Sequence, residues 1–229
     1  RGNTALLKAA QRDHADVIRV LLAQAKGLDV NAATKDGNTS LWFVSELEDL
    51  EMLKLLHENG AKLDTTDNTG QSVLVTTFLH KKRDVLDYLV AKGVDINRVD
   101  SIGHTPLMTA TSMLGGGKAS VVFKFLEKFL TFKPKLDLEQ LKGNGGGYSA
   151  LHLTARGGFV DFAKLLLDAG ASIDIKSLAT GGTPLHTAAS ANQTGMAKLL
   201  IKRGANLEIF DKSGSTPLIT AVVRADADM

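Results

Sequence analysis

The chain has 229 residues, 44% hydrophobic and 5% aromatic, with 27 basic and 25 acidic side chains and no cysteine. So even a balance of charge leaves no electrostatic footprint for nucleic acid or for an acidic membrane surface. The lack of cysteine excludes disulfides and thiolate zinc sites, and no apolar run approaches the ~20 residues that span a bilayer.

One phrase recurs along the chain. Gly2, Gly37, Gly70, Gly103, Gly147, Gly181 and Gly214 open NTALL, NTSLW, QSVLV, HTPLM, YSALH, GTPLH and STPLI, at steps of 35, 33, 33, 44, 34 and 33 residues. A fixed period of this size means repeated supersecondary units, each touching mainly its neighbours. The clearest copy runs from Gly181 to Asn206. There Thr183 suits an N-cap, Pro184 suits N1, and Leu185, Ala188 and Ala189 form one side of a short helix. Ser190 to Gln193 breaks it. Met196, Leu199 and Leu200 then stripe a second helix, which Gly204 stops in a left-handed cap.

In chain order, the first repeat (about 2–36) predicts helices at Ala5–Arg12 and Asp16–Gln24. The second (37–69) sets Trp42, Phe43, Val44 and Ser45 in its first helix and predicts another at Asp49–His57. The third (70–102) has Val75, Thr77 and Phe78 in the first helix and Asp84–Ala91 as the second. The fourth (103–146) is 11 residues longer than 33, through Gly115-Gly116-Gly117 and a long exit over 135–146. Its second helix, Ser120–Phe132, is ended by Pro134. The fifth (147–180) and sixth (181–213) are regular, and the seventh (214–229) supplies one helix. That helix leaves Ile219, Val222 and Val223 without a second helix to cover them, so the chain reads as a fragment of a longer protein.

With these phrases and the shared stops at Asn59-Gly60-Ala61, Ala169-Gly170-Ala171 and Arg203-Gly204-Ala205, the chain resembles the ankyrin-repeat family over essentially its whole length. The resemblance implies an all-α solenoid of helix-turn-helix units with short β-hairpin loops, such as Asn31–Gly37 and Asn97–Gly103, forming a single domain over 1–229. It implies a non-catalytic scaffold or adaptor that holds a protein or peptide on the concave side, made of hairpin tips and first-helix faces. Such a protein would be monomeric, cytoplasmic and without cofactor. A second reading stays open: a regulatory or substrate-targeting segment of a larger enzyme, or of a bacterial effector acting in a host cytoplasm.

The chemistry-bearing residues are weighed against that background. In the family, the histidine at the place of His152 and His186 bonds to the Ser or Thr three residues earlier and ties neighbouring repeats together. The other histidines, at 14, 57, 80 and 104, have no H-x-x-x-H spacing, so no metal site is expected. Gly115 to Ser120 imitates a phosphate loop without the strand that must precede one. Lys81-Lys82-Arg83 is a local basic turn. Trp42, in the histidine slot, either fills a gap between repeats or anchors a partner. Leu89 to Asn97 resembles the family's asparagine-hydroxylation site, with Asn97 as acceptor. For the binding surface, Leu79, His80, Ile102, His104, Met113, Tyr148 and Arg156 stand at tips and first-helix ends that the fold does not require to be apolar or aromatic. An apolar centre with a polar rim is the usual composition of an interface.

Overall fold

The computed structural model describes residues 4–47, 49–80, 83–112, 123, 127, 129–131, 137–141 and 146–227. They fall into two compact units, Arg1–Ser101 and Ile102–Met229.

The first unit holds α1 (Ala5–Gln11), α2 (Ala15–Gln24), α3 (Ser40–Glu46), α4 (Leu50–Glu58), α5 (Val73–His80) and α6 (Arg83–Ala91). The odd-numbered helices line up side by side and each packs on the even-numbered helix that follows it. Leu6, Leu7, Ile18, Leu41, Val44, Leu53, Leu56, Leu74, Leu86 and Leu89 are at most 2% exposed and form the core. Burying a side chain of that size stabilises by roughly 1.5–3 kcal/mol, so the shared stripe is the main adhesive between repeats. Thr4, Thr39 and Asp49 cap α1, α3 and α4 through bonds from the amides of Leu7, Trp42 and Met52.

The second unit holds α7 (Pro106–Ser112), α8 (Ala150–Gly157), α9 (Val160–Asp168), α10 (Pro184–Ser190), α11 (Thr194–Lys202) and α12 (Pro217–Ala227). Here α7, α8, α10 and α12 form the row of first helices, with α9 and α11 behind α8 and α10. Glycines Gly60, Gly93, Gly170 and Gly204 have φ between 83 and 96°, so the predicted left-handed stops are present. The expectations for Gly115 to Ser120, for the basic pair Lys81-Lys82 and for most of the helix at Ser120–Phe132 lie outside the described residues.

Polar ties join the repeats in both units. His152 Nδ1 accepts from the Ser149 amide at 3.2 Å, and its Nε2–H donates to the Gly182 carbonyl of the next repeat at 3.0 Å. His186 repeats this with the Thr183 amide at 3.1 Å and the Ser215 carbonyl at 3.0 Å. One ring thus caps its own helix and fastens the following repeat, as the resemblance implies. Where α3 and α5 lack that histidine, the buried Ser45 and Thr76 hydroxyls meet across the repeats at 2.6 Å. Trp42 is half-buried against Phe43, and its indole N–H is buried with no acceptor in reach. That position suits a gap-filling residue better than a projecting anchor. On the far side, Asn31 donates to Gly60 O and accepts from Lys62 N, both at 2.9 Å.

Candidate interaction surface

The loops between repeats are tight turns whose chemistry is written in the sequence. Thr34 and Asn38, Asp67 and Gln71, and Asp211 and Ser215 each close a turn by a backbone bond of 2.9–3.0 Å. Asp67 Oδ1 accepts from the Thr69 amide, the Thr69 hydroxyl and the Gln71 amide. Asp211 Oδ1 does the same with the Ser213 amide, the Ser213 hydroxyl and the Ser215 amide. Aspartate at this place replaces solvent by fixed donors, a strong local reason for the turn. The Ser213 hydroxyl is the largest cause holding the Asp211 carboxyl below its ordinary value, with the two amides adding to it.

The tips are also stacked on one another. In the first unit Asn68 N donates to Asp36 O at 2.8 Å and Ser101 N to Thr69 O at 2.9 Å. In the second, Leu178 N and Ala179 N donate to Gly147 O and Gly146 O, and Lys212 N to Thr180 O at 2.8 Å. A backbone ladder therefore runs along the tips of each unit. Side chains join it too: Asn68 Nδ2 donates to Lys35 O and Lys212 Nζ to Leu178 O.

In the second unit the tips and the ends of α8, α10 and α12 enclose a groove of about 450 Å³. It is lined by Tyr148 and Arg156, by Thr187, Ser190 and Ala191 of α10 and the turn after it, and by Asp211 and Arg224. Tyr148 is half-buried, its ring 5.5 Å from that of His152. Arg156 and Arg224 are exposed and lie in the last turns of their helices. His152 itself is fully buried, and burial takes its pKa down to about 4, against the opposing pull of the Gly182 carbonyl. It is a neutral structural ring, not a proton carrier at the groove.

Of the residues singled out from the sequence, this groove brings together Tyr148 and Arg156. Ile102, 48% exposed, and His104, half-buried, sit on the first hairpin of the same unit and do not line it. Leu79 and His80 belong to α5 of the other unit; their side chains, and Met113 entirely, lie outside the described residues. Asn97 is half-buried with its amide on Asp95 Oδ1 at 2.9 Å. It stands at the place in its repeat that Asn31 holds in the first, where the side-chain amide bridges to the next repeat. Sequence reasoning missed Asp211 and Arg224. Asp211 was signalled by the shared aspartate of DNTGQ and DKSGS. Arg224 had no such signal, because it falls one position off the place of Arg156 relative to the repeat glycine.

A larger, mainly apolar depression of about 640 Å³ lies over α10, α11 and α12, lined by Ile201, Leu207, Phe210, Leu218 and Ile219. The corresponding sides of α8 and α10 are covered by α9 and α11. Among the described residues, no helix is long and apolar enough to cross a membrane, and no group of three or more His, Asp or Glu could hold a metal ion.

A family model described as ankyrin repeats (3 copies) matches residues 1–67, 41–135, 74–177, 117–211 and 151–229. The chain is 29% identical over 174 residues to a putative palmitoyltransferase of Danio rerio, covering 76% of this chain and 25% of that protein. It is 25% identical over 184 residues to a putative ankyrin repeat protein of fowlpox virus (strain NVSL), covering 79% of this chain and 52% of that one. The crystal structure of the ankyrin repeat domain of Bcl-3 superposes with a TM-score of 0.80 at 20% identity, covering 96% of this chain and 94% of that one. The chain thus spans a quarter to about half the length of these two curated relatives.

Proposed function

This chain belongs to the ankyrin-repeat family, and from that premise we propose that it is a non-catalytic module that holds a protein or peptide partner on the hairpin tips and first-helix ends. The observation that carries the reading is the hydrogen-bonded ladder of tips. Each tip is fixed by its own turn and by its neighbour, while the side chains beside it remain exposed. A surface ordered before the partner arrives loses little conformational freedom on binding, so more of the contact energy appears as affinity. Tyr148 and Arg156 are the proposed centre, with Ile102 and His104 on the first hairpin of the same unit. Leu79 and His80 in the first unit, and Met113, are proposed as separate contacts from their place in the repeat alone. The repeats over 1–229 serve as one domain, monomeric, cytoplasmic and without cofactor.

A second reading rests on the similarity to a putative palmitoyltransferase of which this chain spans 25%. In it the repeats select or regulate the substrate of a larger enzyme. Either way the same face does the work. The test is affinity capture with the parent and with Tyr148→Asp/Arg156→Glu, both checked for cooperative melting by circular dichroism. A partner retained by the parent and lost by the variant is the expected result. A partner held equally by both places the contact elsewhere.

A further inference from the structure

We infer that the apolar depression over α10, α11 and α12 seats an amphipathic helix of a partner polypeptide, ended by a glycine stop, as α9 sits on α8 and α11 on α10. It is a second docking place and stands or falls apart from the hairpin-tip face. Three observations carry it.

The first is a break in a regular pattern of burial. Four residues after each repeat glycine stands a leucine. Leu6, Leu41, Leu74, Leu107, Leu151 and Leu185 are at most 3% exposed there, whereas Leu218 is 73% exposed. Three residues after a glycine stop, Leu63 and Ile96 are buried, whereas Leu207 is 46% exposed. Ile201, Leu207 and Leu218 line the same depression. Apolar surface gathered in one concave place gains by leaving water, and it does so against another apolar face.

The second is continuity with an interface already built. α9 packs on α8, α11 packs on α10, and α9 and α11 pack on each other. α12 lies beside α10 in the row of first helices. A helix laid on α12 therefore meets the open side of α11 and extends the same interface by one place. The two helices already seated are nine residues long. α11 buries Met196, Leu199 and Leu200, and α9 buries Phe162, Ala163 and Leu166. The occupant needs the same single apolar stripe, at i, i+3 and i+4.

The third is a polar acceptor in register. The amide two residues beyond the stops at Gly60, Gly170 and Gly204 donates to a side chain of the preceding repeat. Lys62 N reaches Asn31 at 2.9 Å, Ser172 N reaches Glu139 at 2.7 Å, and Asn206 N reaches Asp174 at 3.1 Å. Asn31 and Asp174 stand four residues after the left-handed glycines Gly27 and Gly170, and Glu208 holds that place after Gly204. Glu208 is exposed and lines the depression, placed to accept the amide beyond the occupant's own glycine. Charge adds a preference. Arg203 donates to Asp168 of the preceding repeat at 2.8 Å, and Lys202 takes the place of Asp168 in α11. The occupant therefore favours an acidic residue just before its glycine.

The probe is a fluorescein-labelled peptide of residues 192–206, stapled across the exposed positions 198 and 202 because so short a helix is marginal alone. It is titrated with the intact chain and read by anisotropy. Saturable one-to-one binding below about 1 mM is expected. Affinity should fall about tenfold or more with Leu218→Asp or Ile201→Asp in the chain. It should fall about threefold or more with Glu208→Ala, and rise up to about threefold when the peptide carries Arg203→Glu. Leu218, Ile201 and Glu208 are exposed, so these variants should melt as the parent does. Tyr148→Asp/Arg156→Glu should leave peptide binding unchanged, which separates this seat from the hairpin-tip face. No saturation by about 1 mM, or binding indifferent to Leu218→Asp and Ile201→Asp, overturns the inference. Two other occupants would overturn it as well. A dimer in sedimentation that Leu218→Asp abolishes points to a second copy of the chain. Stoichiometric binding of a fatty acid where the peptide fails points to a lipid.

Discussion

Acidification should weaken the repeat interface built by His152, and the size of the effect follows from its burial. The ring is neutral in the fold, with Nδ1 accepting from Ser149 and Nε2–H donating to the Gly182 carbonyl. Its pKa falls from an ordinary 6.5 to about 4. The unfolded chain therefore binds a proton that the folded chain refuses. The stability from this group is complete above about pH 6.5 and is lost as pH falls through the window down to about 4. At about 1.4 kcal/mol per unit, the whole difference is roughly 3 kcal/mol, of which about 2 is lost between pH 7 and pH 5. Urea unfolding at those two pH values, followed by circular dichroism, should compare the parent with His152→Gln, which cannot titrate there. Other titrating groups are common to both proteins and cancel in the comparison. The parent should lose about 2 kcal/mol more than the variant. Equal losses would refute the claim that this ring is held neutral by burial.

Other consequences can be read at single residues. Gly70 has φ of +80° and an added Cβ would lie 2.5 Å from Ser101 N, so Gly70→Ala should destabilise the first unit by about 1–3 kcal/mol in chemical denaturation. Asn31→Ala removes both bonds to the second repeat and should cost about 1–3 kcal/mol, measured the same way. Ser213→Ala removes the largest cause of the lowered Asp211 carboxyl, so nuclear magnetic resonance titration should show that group moving back up. Its fold-state stabilisation, present above the ordinary carboxylate range and lost in acid, should shrink with it. Asn97 is proposed as a hydroxylation acceptor, and intact mass of the chain after exposure to an asparagine hydroxylase should show one added oxygen on that residue.

The sequence made the helices, the glycine stops and the histidine ties legible because each rests on a local pattern. Thr183-Pro184-Leu185-His186 is a cap, a first-turn proline, a core residue and a bridging ring in four successive places. What bears on recognition was less legible. The ladder of tips depends on backbone groups such as Thr69 O and Thr180 O, which carry no side-chain signature. Arg224 joins Arg156 only because α8, α10 and α12 pack in a row, and no local window contains both. The apolar and aromatic choices at Leu79, Ile102, Met113 and Tyr148 mark repeats three to five in the sequence as the expected hot spot. Of the sequence candidates, Tyr148 and Arg156 line one groove beside α10.

The most direct measurement is hydroxyl-radical footprinting of the chain with and without its captured partner, read at Tyr148 and along the second-helix row. Binding on the hairpin and first-helix face predicts that oxidation of Tyr148 falls sharply on complex formation while Phe159 and the exposed Ile201, beside or within the second helices, are unchanged. Protection of the second-helix residues with Tyr148 still fully reactive would contradict the account.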